Sequence, residues 1–122
     1  MSEFRPEEHN YSVGNARIGV VVARWNSQIT DGLLAGAKRE LARNNVADYT
    51  VMPIPGAFEL PLAAQRMAKT GKYDAIVCLG CVIRGGTPHF DYVCAETSRG
   101  VGEVALRHNL PVGFGLLTTD DL

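Results

Sequence analysis

Four short apolar runs alternate with three longer segments of helical periodicity along the chain. Arg17-Ile18-Gly19-Val20-Val21-Val22-Ala23 is β-branched and almost unbroken in hydrophobicity, as a strand covered on both faces reads. Asn26 or Ser27 then offers an N-cap, and Ile29, Leu33, Leu34, Ala37 and Leu41 recur at helical spacing until Asn44-Asn45 stops the pattern. Tyr49 to Ile54 reads as a second strand, at an edge because Pro53 donates no ladder hydrogen bond. Phe58 to Thr70 predicts a second helix, with Pro61 in its first turn and Gly71 just past its end.

Tyr73 to Gly80 is the most continuous apolar run and predicts a central parallel strand, followed by a long loop from Cys81 to Pro88. From His89 to about His108 an apolar stripe (Phe90, Val93, Thr97, Val101, Val104) predicts a third helix despite Gly100 and Gly102. Pro111 to Leu117 is a fourth strand. The β-α-β-α-β-α-β order predicts right-handed crossovers. The expected class is α/β: a three-layer sandwich with a mainly parallel four-stranded sheet in flavodoxin-like order. Thr118-Thr119-Asp120-Asp121 reads as an N-cap and acidic first turn with no helix behind it before Leu122. The expectation is therefore a polar segment at 1–15 and one C-terminally incomplete domain at 16–122.

Composition narrows the function classes. Apolar residues are 46% and charged residues 20% of 122, which fits one folded core and excludes a disordered or fibrous chain. Twelve Lys and Arg against thirteen Asp and Glu provide no basic block, so nucleic acid is not an expected partner. No apolar stretch approaches the roughly 20 residues that cross a bilayer, and the N-terminus lacks a signal-peptide pattern. The expectation is a cytoplasmic protein without a membrane partner. Cys78 and Cys81 spell C-x-x-C, but three positions along a strand turn their side chains to opposite faces. A buried structural role is expected over a redox pair.

In open α/β sheets, ligands bind beyond the carboxyl ends of the strands, where helix N-termini present unpaired N–H groups. Trp25, the only tryptophan, sits there, where its ring suits either stacking on a planar heterocycle or partial burial as a core aromatic. Gly56-Ala57-Phe58-Glu59 places a carboxylate at a helix start; hydrogen bonding to ligand hydroxyls and favourable interaction with the helix dipole both fit. Arg84-Gly85-Gly86-Thr87-Pro88-His89 is the most informative segment. Two glycines permit close backbone approach to an anion, Thr87 adds a donor, Arg84 adds charge, and a helix N-terminus follows. His89 adds a group that exchanges protons near neutral pH. His9 and His108 lie elsewhere, no ligand spacing predicts a metal, and neither Ser27 nor Ser98 has a hydrolase context.

Taken together, Ala23 to Asn26, Pro55 to Pro61, the Leu79 to Val93 block with its GxVIRGxTxHxDYV pattern, and Phe114 to Thr119 strongly resemble the 6,7-dimethyl-8-ribityllumazine synthase family. The resemblance runs from about Ala16 to Leu122. It implies condensation of 5-amino-6-(D-ribitylamino)uracil with 3,4-dihydroxy-2-butanone 4-phosphate, the penultimate step of riboflavin biosynthesis, with neither cofactor nor metal. It also implies that Trp25 stacks on the pyrimidine and that Ala57, Phe58 and Glu59 hold ribityl chain and ring. Cys81, Val82 and Ile83 would line the heterocycle site, Gly86 and Thr87 would bind phosphate, and His89 would be the general acid and base.

By the same resemblance, Phe114 reaches a neighbouring subunit's site. The implied assembly is a pentamer, in some members paired or built into shells of sixty subunits, with riboflavin synthase as a further candidate partner. The family continues past the Thr-Thr-Asp segment with helix carrying a phosphate-contacting arginine, and Arg84 is the candidate in its place. The competing reading is a non-catalytic subunit that binds ribityl-pyrimidines or flavins, or serves shell assembly. A flavodoxin-like FMN domain fits poorly, because Arg24-Trp25-Asn26 stands where a Ser/Thr-rich phosphate loop would be needed.

Overall fold

The computed structural model describes residues 12–121, so the first eleven residues of the expected polar segment, and Leu122, lie outside the described residues. Strands β1 (Arg17–Ala23), β2 (Asp48–Ile54), β3 (Ala75–Ile83) and β4 (Val112–Thr119) alternate with helices α1 (Ser27–Arg43), α2 (Leu60–Lys69) and α3 (His89–His108). The strands form an all-parallel sheet in the order β2-β1-β3-β4, which is the α/β class and flavodoxin-like order expected. Pro53 lies on edge strand β2, where a missing donor costs no ladder bond.

The unbroken apolar runs of β1 and β3 follow from cover on both faces. Val20, Val22 and Leu79 pack beneath Leu33, Leu34, Ala37 and Leu41 of α1. Their neighbours Val21, Ala23 and Cys78 point to the opposite face, where Ala63, Ala64 and Met67 of α2 and Val101 and Val104 of α3 enclose them. Two asparagines and a glycine stop the helices: Asn45, Asn109 and Gly71 all take positive φ, the last at the position expected after α2.

Two strands run further at their carboxyl ends than expected. Strand β3 continues from Gly80 to Ile83, because Cys81, Val82 and Ile83 pair in register with Leu117, Thr118 and Thr119. The loop expected over Cys81 to Pro88 therefore shrinks to Arg84 to Pro88, and Thr118 and Thr119 are strand residues rather than an N-cap. Cys78 and Cys81 share β3 at odd separation, and burial pushes the Cys78 thiol up to about 12, leaving it protonated and unreactive.

At the amino edge of the sheet, Asp74 clips β1 to β3. Its carboxylate accepts the Arg17 backbone N–H at 2.8 Å and the Arg17 Nη2 at 3.1 Å, while its own N–H donates to the Arg17 carbonyl at 2.7 Å. The Arg17 guanidinium and N–H hold the Asp74 carboxyl below the ordinary carboxylate range. A depressed folded-state value means that this stabilisation is complete above the unfolded value, about 4, and vanishes as pH falls through the lower folded value. Asp74→Asn is expected to lower the melting temperature at pH 7, with the gap to the unmodified chain closing towards pH 2. A gap independent of pH would refute the assignment.

On the other face, α2 and α3 meet where Gly100 abuts Pro61. A Cβ added at Gly100 would lie 2.7 Å from both Cβ and Cγ of Pro61, a ring with no rotamer to yield. Gly102, two residues further along the same helix and so on another side of it, has no atom within 4 Å of such a Cβ. Gly100→Ala should therefore destabilise the fold by about 1–3 kcal/mol through overpacking. Gly102→Ala should stabilise it by about 0.5–1 kcal/mol through helix propensity. Denaturant unfolding of both variants checks this, and shifts of the same sign would rule out the close-approach account.

Candidate functional site

Parallel strands deliver all their carboxyl ends to one edge, and the chain reverses its direction of winding between β1 and β3. A pocket of about 590 Å³ opens at that reversal. Its wall takes Trp25 and Asn26 from the end of β1, Pro55 to Glu59 from the end of β2, and Cys81, Val82 and Ile83 from β3. Helix α3 adds His89, Tyr92, Val93 and Glu96. The volume lies within the usual range for small-molecule sites.

Trp25 is held by a continuation of the sheet ladder. Arg24 N–H donates to the Ile54 carbonyl at 2.8 Å and Trp25 N–H to the Pro55 carbonyl at 3.0 Å, which carries the parallel pairing past the strand ends. The indole then lies against Gly56, whose Cβ, if present, would stand 3.5 Å from Trp25 Cε3. At 71% exposure the ring is not a core aromatic, so of its two sequence readings the stacking platform is the one this geometry favours.

Asn26 adopts the left-handed conformation (φ 62°, ψ 48°), which asparagine tolerates better than most residues. Its Nδ2 donates to the Cys81 carbonyl at 2.9 Å, joining the end of β1 to β3 across the pocket floor. Its own carbonyl accepts from Ile29 and Thr30 N–H, so the residue that braces the pocket also starts α1.

Ala57–Glu59 forms a single 3-10 turn ahead of α2. The Gly56 N–H donates to Glu59 Oε2 at 3.0 Å, which leaves Oε1 for a ligand hydroxyl. From below, the fully buried Thr97 of α3 donates its hydroxyl to the Ala57 carbonyl at 3.2 Å, fixing this turn against the helix that carries His89. Phe58 is exposed at the rim.

Helix α3 begins at His89, whose N–H donates to Thr87 Oγ1 at 3.4 Å. That bond uses the hydroxyl as acceptor and leaves its proton for an anion. Gly85 and Gly86 are open, with nothing within 4 Å of an added Cβ. His89, Tyr92, Val93 and Glu96 recur at helical spacing down the pocket wall. Glu96 accepts from Arg99 Nη2 at 2.9 Å, and this hydrogen bond holds its carboxyl below the ordinary range, so the far wall stays anionic.

Of the residues expected at the site, Trp25, Ala57, Phe58, Glu59, Cys81, Val82, Ile83 and His89 line one cavity. Gly86 and Thr87 lie beside it in the loop leading to His89. Phe114 is not in the wall: it pairs with Cys78, well short of the carboxyl edge, and is half exposed. Arg84 also stays outside, its Nε 2.9 Å from Asp120 Oδ1 and its Nη1 3.4 Å from Asp91 Oδ1. Sequence reasoning missed Tyr92, Val93 and Glu96 as wall residues. The signal was present, since they stand three, four and seven positions after His89 on a helix already expected.

Comparison with known proteins agrees with this reading of the fold. The sequence profile described as 6,7-dimethyl-8-ribityllumazine synthase matches residues 15–122. A curated relative from Desulfatibacillum aliphaticivorans, named 6,7-dimethyl-8-ribityllumazine synthase, is 55% identical over 117 residues, which are 94% of this chain and 76% of the relative. Family pattern, relative, sheet order and pocket converge, and the chain belongs to the 6,7-dimethyl-8-ribityllumazine synthase family, transferases of riboflavin biosynthesis.

Proposed function

We propose that this pocket carries out the family's condensation of 5-amino-6-(D-ribitylamino)uracil with 3,4-dihydroxy-2-butanone 4-phosphate, with His89 moving the protons. The observation that carries the assignment is the convergence of an exposed indole, a carboxylate and an imidazole on one pocket at the β1/β3 reversal. The pyrimidine stacks on Trp25 between Val82 and Ile83, and the ribityl hydroxyls reach Glu59 and the 57–59 backbone. The phosphate rests on Gly86 and Thr87 at the start of α3.

In that arrangement the pyrimidine amine adds to the ketone, forming a C–N bond, and loss of water gives an imine. Removal of a carbon-bound proton then expels phosphate as its C–O bond breaks. The enol so formed takes a proton at its terminal carbon and becomes a ketone; the ribityl-bearing nitrogen attacks that carbonyl, and a second loss of water closes the ring. Every step transfers a proton at or near the atoms facing His89, which suits general acid and base catalysis. The pocket's larger contribution is to hold two reactants together, for which effective molarity is worth several kcal/mol.

The half-exposed Phe114, away from its own chain's pocket, supports a site completed by a neighbouring copy, and hence a homo-oligomer, the pentamer implied by the family. We assign it to the cytoplasm, in keeping with its membership of a biosynthetic family. Among the described residues no helix is long and apolar enough to cross a membrane.

His89→Ala is expected to lower the rate of lumazine formation about 10²- to 10⁴-fold, with an unchanged elution volume on gel filtration. Unaltered turnover would remove His89 from the mechanism, and tight binding of product by an inactive unmodified chain would overturn catalysis itself. Trp25→Ala should raise KM for the pyrimidine about tenfold, in keeping with roughly 1–3 kcal/mol for stacking on a base, and leave KM for the phosphorylated substrate alone. Equal changes in both KM values would argue against stacking.

A further inference from the structure

We propose that Arg84 is a positioning residue that latches the anion loop into shape, and that it is not itself a ligand of the phosphate. The inference rests on the reading of Gly86 and Thr87 as the phosphate cradle. Residues 84–88 are all exposed, and Gly85 and Gly86 contribute no side chains to hold them. Ordering such a segment is entropically expensive, more so for glycine than for any other residue. Something outside the loop must define its path.

Arg84 reaches every element that borders the loop. Its backbone N–H donates to the Thr119 carbonyl at 2.8 Å, extending the β3–β4 pairing by one residue. Its Nε donates to Asp120 Oδ1 just after β4, and its Nη1 pairs with Asp91 in the first turn of α3. The guanidinium carbon lies 4.3 Å from the centroid of the Phe90 ring, within cation–π range. The planar fork thus ties the end of β4 to the start of α3 across the mouth of the loop. The partially exposed Cys94 is the remaining titratable group of α3 that feels this cluster.

Charge argues against a swing towards the substrate. One guanidinium faces two carboxylates, so moving Arg84 onto a phosphate would leave Asp91 and Asp120 unpaired beside a dianion. A latch keeps those acids neutralised and leaves anion binding to the loop N–H groups and the Thr87 hydroxyl.

The two roles predict opposite signs for Asp120→Ala. If Arg84 is a latch, removing Asp120 loosens the loop; if Arg84 is a ligand, the same change frees it to bind. Steady-state kinetics on the full chain should therefore compare the unmodified protein, Arg84→Gln, Asp120→Ala and the double variant. The readouts are KM for each substrate and competitive inhibition by inorganic phosphate. We expect each single change to raise KM for the phosphorylated substrate and the phosphate inhibition constant by roughly two- to fivefold, the range suited to partly exposed ion pairs. KM for the pyrimidine should not move, and the double variant should be no worse than Arg84→Gln alone. Tighter phosphate binding in Asp120→Ala, or no change in any variant, overturns the latch. Asp120 is 84% exposed, so its variant decides the matter even if Arg84→Gln fails to fold. Failure of phosphate to compete in the unmodified chain would instead show that the cradle reading is wrong, and the latch falls with it.

Discussion

The pairing of β1 with β3 is the constraint on which the remainder of the site depends. The two strands are neighbours in the sheet although β2 and two helices intervene between them in the chain. The helices leaving them therefore depart to opposite faces, and the gap between those departures is the pocket. Asn26 spans that gap with one side-chain hydrogen bond to Cys81, at the cost of a left-handed backbone. Such a conformation persists only where its surroundings over-determine it, and here the ladder bonds on one side and the first turn of α1 on the other do so. The pocket end of the molecule is thus braced by hydrogen bonds from backbone N–H groups and one side-chain amide, which position side chains more sharply than surface ion pairs do.

Buried helix contacts set the remaining spacing. The 3-10 turn that carries Glu59 and the helix that carries His89 are joined by the Thr97 hydroxyl, and just below by the contact of Gly100 with Pro61. Acid and imidazole are therefore held at a fixed spacing by α2 and α3, while Trp25 reaches the pocket from the end of β1.

Most of the fold was legible because its signals are local or periodic. Unbroken β-branched runs gave the buried strands, Pro53 the edge and Gly71 the end of α2. The carboxyl-edge rule then gathered Trp25, Glu59 and His89 from three distant segments. What escaped was non-local. The extension of β3 to Ile83 depends on partners in β4, and no periodicity in Cys81 to Ile83 announces a pairing that far along the chain. Arg84 read as an anion's counter-charge because its two carboxylate partners come from elements 7 and 36 residues away. Tyr92 and Glu96 were missed for a different reason: their helix was foreseen, and their spacing from His89 places them on its face, but that spacing was not followed down the helix.

The lone tryptophan has a spectroscopic consequence. Because Trp25 is already 71% exposed in the folded chain, its emission should respond little to loss of the core. The same indole borders the pocket and sits at van der Waals distance from Gly56, so any planar heterocycle that stacks on it will quench or shift its light. Intrinsic fluorescence in this protein is thus a single-site reporter of occupancy and a poor witness to global unfolding, the reverse of its usual role in small α/β domains.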